Sequence, residues 1–185
     1  LTSIDALTDT VFCEGDSVKL KSMVSNGYPA YNYLWSTVET SPDIWAQYTG
    51  SCYLEVTDSK SCYQRSNAIG VMVNPVPKPH ISGDKEVCYL EQTTYSVNYP
   101  DGLYTLEWSQ DGTLITWATQ SQYNFYASTL GVHTVSVKVI SADSCIGYDT
   151  LVLEVLPNPN VSIAAASALC EGETHLLDGN SSNTN

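Results

Sequence analysis

The sequence predicts an all-β protein made of tandem β-sandwich modules, and three observations predict it. The first is a recurring stretch: VFCEGDSVKL at residues 11–20 returns as ALCEGETHLL at residues 168–177, and a looser copy, EVCYLE, occupies residues 86–91. Only the cysteine and the acidic residue three places on persist in all three copies; the middle copy lacks the glycine. The second is VMVNPVP at residues 71–77, echoed by LEVLPNP at residues 153–159, each a strand-like run ending in a Pro-x-Pro joint. Self-similarity at this spacing marks tandem modules. The third is composition: 13 Tyr and 4 Trp with abundant Ser, Thr and Val favour strands, and no stretch shows a helical period with caps.

The repeats place module boundaries at residues 1–76 and 77–158, with 159–185 as the truncated start of a third. In the first module, residues 1–9 form the first strand or lead-in. Val18, Leu20 and Val24 share one face of a half-buried strand over residues 17–24. Asn26-Gly27-Tyr28-Pro29 turns the chain, residues 31–35 form the next strand, and residues 40–43 break it. A short strand covers residues 44–48, and Cys52, Leu54 and Val56 alternate along another. Residues 57–61 form a hairpin loop, and Ile69, Val71 and Val73 line the closing strand.

The second module repeats this grammar. Tyr95, Val97 and Tyr99 alternate until Pro100-Asp101-Gly102 turns the chain, and residues 103–108 form the next strand. Asp111-Gly112 accepts the positive φ angles of a tight type I′ hairpin turn, so residues 114–117 return. Residues 123–126 form a further strand. Leu130-Gly131 turns, Val135, Val137 and Val139 alternate, and the loop at residues 141–144 matches the one before Cys62. Leu151, Leu153 and Val155 close the module. Short strands at this spacing read as a β-sandwich. The proline joints at residues 75–79 and 157–159 favour an extended, stiff path, which predicts a rod. The third module's first strands cannot bury a core without a neighbour.

Lys and Arg total 7 against 20 Asp and Glu, a formal net charge of −13. This argues against nucleic acid, which needs a basic face, and suits a soluble, self-repelling surface chain. No calcium-loop motif occurs. No apolar run approaches the length of a membrane helix, so no membrane insertion is expected. Without a starting Met or a signal-like segment, Leu1 reads as a cut inside a longer protein.

Six cysteines at module landmarks suggest an oxidising, extracellular setting. Cys62 and Cys145 occupy equivalent loops, and Cys13 and Cys88 equivalent lead-ins. The repeat therefore favours Cys13–Cys62 and Cys88–Cys145, with Cys170 left without a partner by the truncation. A geometric concern stands against this pairing, because the two members of each pair can lie at opposite ends of a sandwich. Cys13–Cys52 is the rival, and it would place Trp35 between bonded cysteines. Its weakness is that the second module has His133 near the place of Cys52. Both pairings stay open on sequence alone. No Cys-x-x-Cys or histidine pair occurs, so neither a metal nor a cofactor is expected.

Trp35 and Trp108 fall on equivalent strands and read as core. Trp45 and Trp117 read as partly exposed, for packing or module contact before carbohydrate binding. Catalysis finds no support: His80, His133 and His175 are scattered over linker, strand and stump, and no nucleophile elbow, zinc helix or phosphate loop is present. The many carboxylates are explained by a solvated surface.

The stretches CEGDSVKL, YLWS, YLEVTDSKSC and VNPVP resemble the tandem immunoglobulin-like repeats of large Bacteroidetes surface proteins. The second module is similar to their PKD-like variant, though without its Asp-Phe-Gly-Asp-Gly signature. The resemblance implies immunoglobulin-like β-sandwich modules and export by the type IX system to the cell surface, in adhesins, gliding-motility filaments or stalks of secreted enzymes. It also implies O-glycosylation at Asp-Ser/Thr-apolar triplets, here at Thr10, Ser17 and Thr150. The expected function is a stiff, disulfide-stapled spacer in an extracellular surface or filament protein, whose partners are neighbouring modules of the same chain or filament. The alternatives are an adhesive module for glycan or surface protein, and an accessory domain of a secreted enzyme.

Overall fold

The computed structural model describes residues 2–163, 171 and 179–182. Cys170, His175 and most of the expected third module lie outside the described residues. Among the described residues every regular element is a β-strand. The chain divides into two compact units, Leu1–Lys78 with Ile140–Gly147, and Pro79–Val139 with Tyr148–Asn185. The segment Ile140–Gly147, expected in the second module, thus groups with unit 1.

Unit 1 contains β1 (Thr2–Ala6), β2 (Val11–Cys13), β3 (Val18–Val24), β4 (Asn32–Trp35), β5 (Ile44–Ala46), β6 (Gly50–Cys52), β7 (Leu54–Thr57), β8 (Tyr63–Arg65) and β9 (Ile69–Asn74). They form three sheets in the orders β1-β3-β5, β2-β9-β6 and β4-β7-β8. The predicted strand through Cys52, Leu54 and Val56 is broken at Tyr53 into β6 and β7. Its two halves pair with different strands, β6 with β9 and β7 with β4. Val18, Leu20, Trp35, Ile44, Leu54, Val56 and Val71 make the core. Period-2 alternation puts them on inward faces.

Unit 2 contains β10 (Ile81–Ser82), β11 (Glu86–Cys88), β12 (Gln92–Val97), β13 (Thr105–Gln110), β14 (Thr113–Ile115), β15 (Gln122–Tyr126) and all but the adjoining ends of β16 (Gly131–Ile140) and β17 (Ile146–Leu156), followed by β18 (Asn160–Ile163) and β19 (Gly179–Ser182), which pair with each other. One sheet runs β10-β12-β15 and the other β11-β17-β16-β13-β14. The inward residues Tyr95, Val97, Tyr123 and Phe125 of the first meet Leu106, Trp108, Val135, Val137, Val139 and Leu153 of the second. Asp111 and Gly112 carry φ of 48° and 77° and join Gln110 to its partner Thr113, as the type I′ hairpin requires.

Two antiparallel-rich sheets enclosing one core, with a buried Trp on β13, define an immunoglobulin-like β-sandwich. In unit 1 three three-stranded sheets enclose one core, with Trp35 of β4 buried in it. Trp35 and Trp108 are buried, and each indole N–H donates at 2.8 Å to a backbone carbonyl, of Ser41 and Gln120 respectively. Burying such a ring requires this bond, because an unpaired indole N–H in a core is costly.

Candidate functional site: cysteine turns and cysteine loops

Each repeat builds a cysteine turn in the same way. In the first, Cys13 ends β2, which pairs parallel with β9 so that Cys13 stands opposite Asn74. Beyond it, the Glu14 amide donates to the Asn74 carbonyl at 2.8 Å and the Asp16 amide to the Cys13 carbonyl at 3.1 Å. In the second, Cys88 ends β11 opposite Leu156 of β17. The Tyr89 amide donates to the Leu156 carbonyl at 2.9 Å and the Glu91 amide to the Cys88 carbonyl at 3.0 Å. The third turn residue has positive φ in both, 103° at Gly15 and 66° at Leu90. Glycine is therefore favourable there but not obligatory.

The cysteine loops are likewise superimposable in their bonding. Between β7 and β8, Asp58 N–H donates to the Cys62 carbonyl at 3.0 Å and Ser61 N–H to the Asp58 carbonyl at 3.0 Å. Between β16 and β17, Ser141 N–H donates to the Cys145 carbonyl at 2.9 Å and Ser144 N–H to the Ser141 carbonyl at 3.0 Å. Ser61 and Ser144 both take positive φ, 64° and 63°. The side chain at the loop start accepts from the cysteine amide: Asp58 Oδ1 at 2.9 Å from Cys62, Ser141 Oγ at 3.2 Å from Cys145. Asp58 also accepts from the amides of Tyr28 and Lys60. Amide bonds, those of Tyr28 and Cys62 foremost, hold its carboxyl below the ordinary value.

The equivalences read from the sequence thus hold, but the pairing drawn from them does not. Cys13 is bonded to Cys145, with Cα atoms 5.6 Å apart and a sequence separation of 132. The expected Cys13–Cys62 and Cys88–Cys145 bonds are absent; Cys62 and Cys88 are free and exposed. Strand length is the reason. Cys145 precedes β17 and Cys88 stands beside its last residue, 11 residues along, which is roughly 35 Å of strand. In unit 1, Cys13 is level with Asn74, Cys52 is level with Ile69 at the other end of β9, and β7 continues beyond that to the Cys62 loop. About ten residues of strand, roughly 30 Å, separate Cys13 from Cys62. The rival Cys13–Cys52 fails for the same reason at half the distance. Cys52 is free and buried in the core, where desolvation first, and the charge of Glu39 second, push its thiol up.

The other expected residues are spread out. Thr10 and Ser17 are half-buried, and Thr150 is exposed, its hydroxyl 2.8 Å from that of Ser136. Trp45 and Trp117 are exposed. Trp45 and Tyr48 line a 320 Å³ surface depression with Thr37 and Glu39, and Trp117 tilts against Tyr123. His80 lies 3.8 Å from Asp149 at the surface. Among the described residues no group of His, Cys, Asp and Glu is arranged to hold a metal ion.

One constellation was not foreseen. His133 Nδ1 lies 2.8 Å from Asp111 Oδ2, and its Nε2 lies 3.1 Å from both the hydroxyl and the carbonyl oxygen of Thr129. The order carboxylate, imidazole, hydroxyl matches that of a hydrolytic triad, but the electrostatics differ. The Asp111 bond raises the pKa of His133, against an opposing effect of burial. Burial pushes Asp111 up, but the His133 bond and the Thr134 amide more than offset it and leave its carboxyl low. With Nε2 as near the Thr129 carbonyl as its hydroxyl, the ring ties the Asp111 turn to the Thr129 loop.

The fold and the cysteine arrangement define an all-β protein of immunoglobulin-like sandwich modules carrying a disulfide. No family model and no curated protein matches the chain. Among solved structures it is similar to the fibronectin(III)-like modules of Clostridium thermocellum CbhA, at 16% identity and a TM-score of 0.36 over 85% of this chain and 95% of that one. It is also similar to murine CEACAM1b, at 12% identity and a TM-score of 0.38 over 85% of this chain and 100% of that one. Both scores are low, and the fold class rests on the sheet topology.

Proposed function

We propose that this chain is a non-catalytic structural repeat segment of an extracellular surface or filament protein, a spacer whose disulfide carries tension past its modules. The observation that carries this reading is the Cys13–Cys145 bond. Tension entering at the N-terminal end reaches Cys13, crosses the bond and leaves through Cys145. The 132-residue span between them, with the proline joint at residues 75–79, lies outside the force path. A disulfide also suits an oxidising location, and the motif resemblance to Bacteroidetes surface repeats supports export to the cell surface. Single-molecule pulling on the two chain ends tests this. The shielded span corresponds to about 460 Å of extended chain at roughly 3.5 Å per residue. That length is released only after a reductant is added; its release under oxidising conditions contradicts the reading.

A second reading, adhesion, is favoured by the exposed Trp45 and Tyr48 around their depression. Such rings suit the apolar face of a sugar. Binding on a glycan array that is lost in Trp45→Ala supports it, and no binding by folded protein removes it.

A further inference from the structure

We infer that Cys62 and Cys88 are the two open halves of a repeating disulfide, each taking the complementary cysteine of another repeat built like these, and that a second copy of this chain can stand in for such a neighbour, joined through Cys88 of one and Cys62 of the other. These thiols pair whether or not the chain carries load.

Among the described residues two kinds of cysteine element occur, and each occurs twice. The turn elements, at Cys13 and Cys88, share a parallel last rung, two backbone hydrogen bonds and a left-handed third residue. The loop elements, at Cys62 and Cys145, share two backbone hydrogen bonds, a left-handed serine and a side-chain acceptor for the cysteine amide. One turn and one loop are bonded to each other, and the bond runs from the turn of the first repeat in the sequence to the loop of the second. The bonded pair shows what these elements are shaped to meet. Applied to the other two, the same rule gives Cys88 the loop cysteine of a following repeat and Cys62 the turn cysteine of a preceding one. Both thiols are exposed. Neither can reach the partner that the same repeat offers, as the strand lengths show. Cys52 is excluded by burial and a raised pKa.

The bond forms by thiol–disulfide exchange with a small-molecule disulfide. The Cys88 thiolate attacks one sulfur of that oxidant and releases one small thiol. The Cys62 thiolate of the other copy then attacks the mixed disulfide and releases the second. Two protein thiols are oxidised, one small disulfide is reduced to two thiols, and the protons pass to the released thiolates.

The test uses a Cys170→Ser background, so that this further cysteine cannot contribute, treats the chain with oxidised glutathione and reads non-reducing mass and disulfide-linked peptides, for that parent, for its Cys62→Ser and Cys88→Ser variants and for an equimolar mixture of the two variants. Pairing between random exposed thiols makes Cys62–Cys88 links about half of all cross-links and lets each single variant dimerise with itself. The proposal expects Cys62–Cys88 links to exceed the symmetric ones at least tenfold, each variant alone to stay monomeric, and the mixture to form dimers. An intact Cys13–Cys145 peptide in every sample certifies the fold. Symmetric Cys62–Cys62 or Cys88–Cys88 links at the random proportion, or monomers in the mixture with both thiols still titratable, overturn it.

Discussion

Cys13 stands opposite Asn74 on the last rung of the parallel β2–β9 pair, and the sulfur of Cys145 lies 3.9 Å from the Asn74 carbonyl oxygen. The end of β9, rather than the module to which each cysteine belongs in sequence, therefore decides which two thiols meet. The disulfide closes a span of 132 residues. On the chain-entropy account a closed loop of this size restricts the unfolded state by roughly 4 to 5 kcal/mol. The double variant Cys13→Ser/Cys145→Ser is expected to lose about 3 to 5 kcal/mol in urea unfolding. Unchanged midpoints contradict the assignment.

Thiol counting gives a second expectation. Cys62 and Cys88 are exposed while Cys52 is buried. Of these three, Cys62 and Cys88 are expected to react with a soluble thiol reagent in the native protein, and Cys52 only when it is unfolded. Mass mapping of the labelled peptides checks which residue waits.

The two pairs of tryptophans separate core from surface. Trp108 is fully buried and Trp117 is 71% exposed. Trp108→Ala is expected to cost about 3 to 5 kcal/mol, whereas Trp117→Ala stays within about 0.5 kcal/mol. Equal effects by chemical denaturation contradict the packing described for unit 2.

Gly83 is held by space. A Cβ there meets Cδ1 of Tyr95 closely and Cε1 at 2.7 Å. Tyr95 cannot swing away, because it is fully buried and its hydroxyl donates to the Asp84 carbonyl at 2.8 Å. Gly83→Ala is expected to destabilise the protein by about 1 to 3 kcal/mol, the usual range for overpacking, read as a lowered thermal midpoint.

The Asp111–His133 pair predicts a pH dependence. The pKa of His133 is raised in the folded state, so its contribution is complete below the ordinary value of 6.5 and is lost as pH rises through the folded value. Asp111 is lowered, so its contribution is complete above the ordinary 3.8 and is lost as pH falls through the folded value. Stability from this pair is greatest between those ordinary values. His133→Gln is expected to remove the part of the decline above 6.5 that wild type shows in thermal melts. An identical profile in the variant contradicts the tie.

Much of this architecture is legible in the sequence, for identifiable reasons. Alternation at Val135, Val137 and Val139 and at Leu151, Leu153 and Val155 announces strands with one buried face, and Asp111-Gly112 announces its hairpin. The strands β2 and β11 escape notice because three residues carry no period, and their parallel pairing with distant β9 and β17 has no local signal. The equivalence of the cysteines is also legible, since repeats preserve position. Their partners are not, because repeat position says nothing about which end of a strand a side chain occupies, and about 30 Å separates the ends here. The Asp111–His133 contact joins residues 22 apart across the sheet and has no motif to mark it.

The most direct test of this account is a peptide map of the native, thiol-blocked protein digested without reduction. For the five described cysteines it is expected to yield a cross-linked species joining the Cys13 and Cys145 peptides, with Cys52, Cys62 and Cys88 recovered as blocked thiols. A Cys13–Cys62 or Cys88–Cys145 species in its place contradicts the account.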